Sequence, residues 1–261
     1  MKLTFTGSGS AFTVGGNNYQ SNMILEDDFS IRMLIGCGTD IRLALYDLGL
    51  SALDIDDVYV SHLHCDHVGG LEWFALVRKF NSNNPSKPCL HISGDLVDDL
   101  WNKVLSGGLN TLKDCHAELT SYFEVDKLSH GKFSWQGVQF DLIPMFHAIS
   151  NYTVLPSYGL FFCAGQQSIY ITGDIPFCYK KIEEIYQKAS IIFHDCETCE
   201  RKSIVHASYD DLVTLDPLIK AKMWLYNYSP GPLPDAKKEG FQGFVKKGQT
   251  FDFSKPKTLY V

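Results

Sequence analysis

The sequence contains no long hydrophobic run and no low-complexity tract. No window approaches the ~18–20 apolar residues of a membrane-spanning helix, so we expect no membrane insertion. The first residues, Met1 to Phe5, lack the charged segment and long apolar core of an export signal. We therefore expect a cytoplasmic protein.

Basic residues are too few and too dispersed for a large nucleic-acid surface. The chain has 23 Lys and Arg against 30 Asp and Glu, which gives a net charge of −7. Nucleic-acid binding depends on clustered Lys and Arg contacts to phosphates. The charge therefore disfavours a long nucleic acid as partner, whereas a metal cluster can hold a small anion without a basic surface.

The cysteines show no spacing typical of a disulfide framework. The eight are scattered at positions 37, 65, 89, 115, 163, 178, 196 and 199. Without an export signal, we expect free thiols. Cys196 and Cys199 form a single C-x-x-C pair, which is a weak zinc or redox signal because no second pair accompanies it.

What is present is typical of one globular α/β domain over residues 1–261. The composition is 45% hydrophobic and 20% charged, and strands and helices alternate to the end of the chain. The patterns predict a strand over Phe140–Ile143 that ends just before His147. They also predict an unbroken helix over Tyr209–Ala221, a strand-like stretch over Gly243–Phe253 and an exposed loop over Asn81–Pro85.

One segment, from Ser61 to Gly70, concentrates the chemistry: Ser-His-Leu-His-Cys-Asp-His-Val-Gly-Gly. It follows an apolar strand ending at Val60 and precedes a helical pattern over Leu71–Phe80. Three imidazoles and one carboxylate thus lie on a strand-to-helix loop, where functional groups concentrate. Imidazole nitrogen with carboxylate oxygen suits Zn, Mn or Fe rather than Ca.

The pattern His-x-His-x-Asp-His followed by Gly-Gly resembles the signature of the metallo-β-lactamase superfamily. The glycine-rich segment Gly7–Phe12, with Asn22 downstream, resembles the opening of its ribonuclease Z-like branch. The resemblance implies an α/β fold, the four-layer αββα sandwich, and a hydrolase that uses one or two metal ions.

The resemblance also implies two sets of metal ligands, for one or two Zn²⁺ ions with Mn²⁺ as an alternative. The first site would consist of His62, His64, His147 and Asp174. The second would consist of Asp66, His67 and the shared Asp174, completed by Asn227 or by water.

Asn227 is the most informative departure from the family pattern. It follows the strand over Lys222–Tyr226, where the family carries a further His ligand. An amide oxygen is a weaker zinc ligand than imidazole. The second metal is therefore expected to bind loosely, to be Mn or Mg, to take a water at this position, or to be absent.

Two further residues match the acid and imidazole that this branch carries late in the chain. Asp195 follows the strand over Ile191–Phe193, and His206 comes eleven positions later. A carboxylate beside an imidazole raises its pKa and helps it to donate a proton. We predict His206 as general acid oriented by Asp195, and the catalytic set as Asp66, Asp195 and His206.

These assignments predict a metal-dependent phosphodiesterase in which hydroxide attacks phosphorus and His206 protonates the leaving alkoxide. The tRNA-processing members of the branch carry a long arm before the bridging Asp. Here His147 and Asp174 are only 27 positions apart, which leaves no room for that arm. A small phosphodiester is favoured, and the chain looks similar to the armless phage anti-defence enzymes that degrade cyclic mononucleotides.

Alternative functions remain open at this stage. One is a nuclease resembling the tRNA 3′-processing enzymes, and another is a hydrolase of a carbon ester, lactone, thioester or lactam. A non-catalytic metal or nucleotide sensor is a third, motivated by Asn227. A homodimer is plausible from the family resemblance alone.

Overall fold

Two seven-stranded β-sheets pack face to face, and helices cover the outer face of each sheet. The computed structural model describes residues 1–15, 17–81, 86–113, 115–149 and 153–254. This arrangement confirms the four-layer αββα sandwich expected from the sequence. Most of the predicted loop over Asn81–Pro85 lies outside the described residues.

The first sheet is antiparallel at one side and parallel at the other. In spatial order its strands are β16 (Thr250–Asp252), β1 (Lys2–Phe5), β2 (Met23–Glu26), β3 (Arg32–Ile35), β4 (Asp57–Val60), β5 (Cys89–Ser93) and β8 (Glu124–Leu128). The parallel part runs from β3 to β8.

The second sheet has the same division into an antiparallel and a parallel half. In spatial order its strands are β15 (Gly243–Phe244), β14 (Met223–Tyr226), β13 (Ile191–Asp195), β12 (Gln167–Ile171), β11 (Val154–Ala164), β10 (Val138–Ile149) and β9 (Lys132–Trp135). A separate small hairpin pairs β6 (Thr111–Leu112) with β7 (Cys115–His116).

The helices lie in the connections between strands. They are α1 (Ile41–Asp47), α2 (Cys65–Val68), α3 (Leu71–Phe80), α4 (Val97–Asp99), α5 (Ser106–Leu109), α6 (Tyr179–Lys188), α7 (Tyr209–Val213) and α8 (Pro217–Lys220). A π-helical turn over Leu100–Leu105 joins α4 to α5, and short 3₁₀ helices cover Ala52–Asp54 and Leu119–Ser121. Among the described residues, no helix has the length and apolar character needed to cross a membrane.

Three apolar layers hold the sandwich together. The inner layer, between the sheets, is rich in aromatic rings: Phe140 stacks on Phe133 and packs at a tilt against Phe162, at centroid distances of 4.9 and 4.7 Å. The outer layers join the first sheet to α1 and α3, and the second sheet to α6, α7 and α8. Burial on both faces explains why β14 and the first three residues of β13 are continuous apolar runs rather than alternating patterns.

The parallel strands place several chain segments at one edge of the sandwich. The segments that follow β4, β12 and β14 all begin at the carboxyl ends of parallel strands. Ligands and catalytic groups in open α/β sheets gather at such edges. The segment Ser61–Gly70 follows β4, Asp174 comes shortly after β12, and Asn227 follows β14.

The predicted end of a strand before His147 is wrong. β10 runs to Ile149, so His147 lies inside a strand that pairs with β11. The register shifts between Phe146 and Ala148, which makes His147 the extra residue of a β-bulge. Bulges reorient side chains, and this one carries His147 with its side chain buried.

Two other predictions also need correction. The helix expected over Tyr209–Ala221 is broken, because Pro217 begins a new helix that Asp216 caps through the amide of Leu218. The stretch Gly243–Phe253 is not one strand but two, β15 and β16, in different sheets. The prediction that all eight cysteines are free thiols is confirmed.

Candidate metal centre

The first part of the site is a tight turn from β4 into α2. His64 has extended backbone angles and directly precedes the first helical residue, so that Asp66 and His67 come round in the first turn. The amide of Cys37 donates to the carbonyl oxygen of His67 at 2.7 Å and fixes the turn against the end of β3. His62 and His67 consequently lie side by side, with ring centroids 4.2 Å apart.

Ligand atoms from both sheets converge on this turn. In each of three groups, one donor atom per residue lies within 4.8 Å of the others. The groups are His62, His64 and His147; His62, His67 and Asp174; and His147, Asp174 and His206. The overlap of the groups makes one continuous cluster with Asp174 near its centre.

His147 is held in a defined tautomer. Its Nδ1 donates to the carbonyl oxygen of Val205 at 2.9 Å, which leaves the lone pair on Nε2. That Nε2 lies 3.0 Å from Nδ1 of His64. Metal-binding histidines commonly donate the other ring nitrogen to a carbonyl or carboxylate in this way.

The imidazoles of the cluster differ in charge, because burial dominates at some of them and neighbouring carboxylates dominate at another. Burial lowers the pKa of His62 well below its ordinary value and that of His147 to about 4, so both rings are neutral. Burial also opposes charge on His67, but Asp174 and Asp66 outweigh it and hold the pKa of His67 well above the ordinary value. The buried carboxylates thus attract positive charge at the position where a cation would bind.

The residues present fit a metal ion. Nε2 of His62 and Oδ1 of Asn227 are buried without a hydrogen-bond partner among the described residues, and Nε2 of His67 lies 3.3 Å from a carboxylate oxygen of Asp66 and of Asp174. An unpaired buried polar atom costs about 1–3 kcal/mol, and coordination of a cation removes that cost for a lone pair. Nitrogen and carboxylate oxygen donors match Zn²⁺ and Mn²⁺.

Beside the cluster, Asp195 and His206 form a close ion pair. Nδ1 of His206 lies 2.8 Å from Oδ2 of Asp195, and 3.9 Å from Oδ2 of Asp174. Burial opposes charge on His206, but Asp195 raises its pKa to about 10. His206 is therefore an imidazolium at neutral pH, with a side chain about a quarter exposed (24%).

Asn227 connects this pair to the cluster. Its Nδ2 donates to Oδ1 of Asp174 at 3.1 Å and to Oδ1 of Asp195 at 2.9 Å. Its backbone has φ of 65°, a left-handed conformation that Asn tolerates better than most residues. The amide nitrogen thus faces the two carboxylates, while Oδ1 has no hydrogen-bond partner in the described part of the chain.

Residues 1–251 match the family described as anti-Pycsar protein Apyc1. The chain belongs to this family. The anti-Pycsar protein Apyc1 of Paenibacillus harenae is 34% identical over 231 residues, covering 87% of this chain and 90% of that protein. The protein of the same name from Bacillus phage vB_BveM-Goe7 is 29% identical over 255 residues, covering 95% and 96%.

Solved structures share the fold at low sequence identity. The metallo-β-lactamase fold protein YhfI from Bacillus subtilis has a TM-score of 0.72 at 14% identity, covering 96% of this chain and 98% of that one. The short form of human tRNase Z has a TM-score of 0.68 at 18% identity, covering 97% and 99%. Zn²⁺-bound PqqB from Methylobacterium extorquens has a TM-score of 0.67 at 14% identity, covering 97% and 100%. The metallo-β-lactamase fold expected from the sequence is confirmed.

In this Apyc1 family member, the structure brings together all the residues that the sequence proposed for the site. Those are His62, His64, Asp66, His67, His147, Asp174, Asp195, His206 and Asn227. One relationship differs from expectation. His206, expected as a proton donor only, also has a ring nitrogen within 4.8 Å of donor atoms of His147 and Asp174, so it belongs to a possible ligand group. Cys196 and Cys199 belong to no such donor group among the described residues.

Sequence reasoning missed the groups that orient the site. Val205 acts through a backbone carbonyl, which no sequence pattern reveals. Asn22, noted in the sequence only as part of the family resemblance, holds the turn from β4 into α2. Its Nδ2 donates to the carbonyl oxygen of Asp66, and its Oδ1 accepts from the amide of Gly38. Gly36 is needed here, since a Cβ would come within 2.8 Å of Oδ1 of Asn22 and φ is 78°.

Proposed function

We propose that this protein is a metal-dependent phosphodiesterase that hydrolyses cyclic mononucleotides. The observation that carries the proposal is the pair of His206 with Asp195, 2.8 Å apart, at the edge of two ligand groups that share Asp174. Membership of the anti-Pycsar Apyc1 family supports a small nucleotide substrate. When bound, one or two Zn²⁺ or Mn²⁺ ions would supply hydroxide at neutral pH and polarise the phosphate.

The protein residues divide the work in this proposal. His62, His64, His147 and Asp174 would hold the first ion, and Asp66, His67 and Asp174 would hold the second. Asn227 positions the two carboxylates through its amide nitrogen. Because Asp195 occupies Nδ1 of His206, Nε2 is the nitrogen that donates a proton to the leaving alkoxide.

A cavity beside His147 would take the base of the nucleotide. It has a volume of about 230 Å³ and a largely apolar lining that includes Met145, Phe146 and Ile204. The ring of Phe146 is 55% exposed, and the amino group of Lys181 lies 4.1 Å from its centroid. Small-molecule sites have this character, an apolar cavity with few polar groups.

The alternatives have less support. A proton donor such as His206 would serve a carbon ester or lactam equally well, so it is membership of the Apyc1 family that favours a phosphodiester substrate. The segment between His147 and Asp174 is too short to include a tRNA-processing arm. The described residues of this segment belong to β10, β11, β12 and short connections. The homodimer and the cytoplasmic location stay predictions.

The test is hydrolysis of a panel of cyclic mononucleotides by protein stripped of metal and reloaded with Zn²⁺ or Mn²⁺. We expect the wild-type protein to form linear nucleoside monophosphate only when metal is present. His64→Ala should abolish this turnover, whereas His116→Ala, a change of an exposed histidine, should keep it. Bis(p-nitrophenyl) phosphate serves as a second substrate.

Other results would overturn the proposal. Turnover of nitrocefin or p-nitrophenyl acetate without phosphodiesterase activity would favour a carbon-ester hydrolase. Nucleotide binding without turnover under either metal would favour a sensor. Hydrolysis that survives His64→Ala would locate the activity outside this cluster.

A further inference from the structure

A second group of metal-type donors lies at the opposite end of β4 and β5 from the site described above. Its members are Asp57, the first residue of β4, and Cys89 and His91, the first and third residues of β5. Their donor atoms lie within 4.8 Å of one another. The register pairs Asp57 with Cys89, which places all three side chains on one face of the sheet.

That face is turned toward the second sheet. The ring of His91 stacks on Phe133 of β9, with centroids 4.7 Å apart and an interplanar angle of 23°. Nε1 of Trp135, also on β9, donates to Oδ2 of Asp57 at 2.9 Å. The group therefore lies where β9 packs against β4 and β5.

Both ring nitrogens of His91 face carboxylates. Nε2 lies 2.9 Å from Oδ1 of Asp57, and Nδ1 lies 2.9 Å from Oδ2 of Asp126. A neutral imidazole has one N–H and can donate to only one of them. If Nδ1 donates its N–H to Asp126, the contact between Nε2 and Asp57 needs either a second proton, which makes the ring cationic, or a metal ion.

The surroundings match the second shell of a metal site. Metal-binding histidines commonly donate the other N–H to a carboxylate, as Nδ1 of His91 does to Asp126. Binding carboxylates are themselves hydrogen-bonded, as Asp57 is to Trp135. Cys89 adds a sulfur donor that a hydrogen-bonded clamp does not require.

We propose that Asp57 Oδ1, Cys89 Sγ and His91 Nε2 bind a divalent transition-metal ion, separate from the active-site cluster. One oxygen, one sulfur and one imidazole nitrogen suit Zn²⁺, with water in the fourth position. Binding takes the proton from the Cys89 thiol and the proton at Nε2 of His91, and both are released to solvent. The ion would hold β4 to β5 and, through Trp135, to the second sheet.

Cobalt substitution tests this proposal independently of catalysis. The donors proposed for the active site are nitrogen and oxygen only, so a thiolate-to-Co²⁺ charge-transfer band in the near ultraviolet has to come from a cysteine. We expect the Co²⁺-loaded full-length protein to show this band. Cys89→Ser should remove it and lower the bound metal by about one equivalent, while metal-dependent hydrolysis is kept.

Cys65→Ser is the matched control, because Cys65 is an exposed cysteine beside the active-site ligands. It should keep both the band and the extra equivalent. No band in the wild-type protein would overturn the proposal and leave His91 as a protonated clamp between two carboxylates. A band lost in Cys65→Ser but kept in Cys89→Ser would overturn it as well.

Discussion

Nδ1 of His206 lies 2.8 Å from Oδ2 of Asp195, a carboxylate that is fully buried. Oδ2 also accepts from the amide of Ile175 at 3.0 Å, and Oδ1 accepts from Asn227 at 2.9 Å. The acceptor for His206 is therefore fixed by the second sheet and its loops. The proposed proton donor inherits its orientation from that fixed carboxylate.

Asp195→Asn should impair proton donation more than metal binding. It removes the charge that raises the pKa of His206. For a substrate with an alkoxide leaving group, we expect kcat to fall about 10²–10⁴-fold. A p-nitrophenolate leaving group needs no proton and should be affected much less. The measurement is the loss of kcat for each of the two substrates, expressed as a ratio. Asp210→Asn, a change of an exposed carboxylate, is the control. Equal losses for both substrates would contradict the assignment.

Single histidine changes should separate the two ions. His64 belongs to the group with His62 and His147, whereas His67 belongs to the group with His62 and Asp174. We expect His64→Ala and His67→Ala each to lose about one bound metal per chain, from different positions. Elemental analysis after dialysis gives the stoichiometry, with His130→Ala as an exposed control. Unchanged metal content in both variants would refute the ligand assignment.

Asn227→Asp should destabilise the metal-free protein and make its stability more dependent on metal. The change replaces the amide group, which donates hydrogen bonds to the buried carboxylates of Asp174 and Asp195, by a third carboxylate at the same place. Leaving buried acceptors unpaired costs about 1–3 kcal/mol of unfolding free energy, and a bound cation should offset part of it. Thermal unfolding with and without Zn²⁺ measures this, and Asn102→Asp at an exposed position is the control. A shift no larger than the control's would argue against this role of the amide.

His194 should contribute pH-dependent stability. Its Nδ1 donates to the carbonyl oxygen of Asp195 and its Nε2 accepts from the hydroxyl of Tyr186. Burial lowers its pKa from 6.5 to about 4, so folding favours the neutral ring. Its contribution is complete above about pH 6.5 and is lost as the pH falls toward 4.

The measurement is the difference in unfolding free energy between wild type and His194→Gln, taken by denaturant titration at several pH values. The difference should narrow from pH 6.5 to pH 4. His130→Gln, at an exposed position, should give a difference that does not vary with pH. A constant difference for His194→Gln would refute the neutral-histidine interpretation.

The sequence predicted the parts of the site that are local. The proposed ligands from His62 to His67 lie within six positions, and the predicted strand-to-helix turn brings them close together. Asp174 was predictable because it comes three residues after an apolar strand.

Features that depend on distant pairing were not predictable. Pro144 suggested that a strand ends before His147, yet β9 pairs with β10 only over 138–141. Pro144 therefore lies where β10 pairs with β11 alone, an edge position that tolerates proline. The bulge at His147 arises from the register of β10 with β11. The cluster around His91 is formed by side chains from β4, β5 and β8 of the first sheet and from β9 of the second. Neither register nor packing between sheets is visible in a local pattern.

The division of the ligands between the two sheets has a consequence for biosynthesis. The first sheet supplies the histidines up to His67, but His147 and Asp174 come from the second. A nascent chain that has not yet emerged past Asp174 holds only part of the donor set, so firm metal capture has to wait until the second sheet docks. Full metal binding would then occur only after both sheets have been synthesised and have packed together.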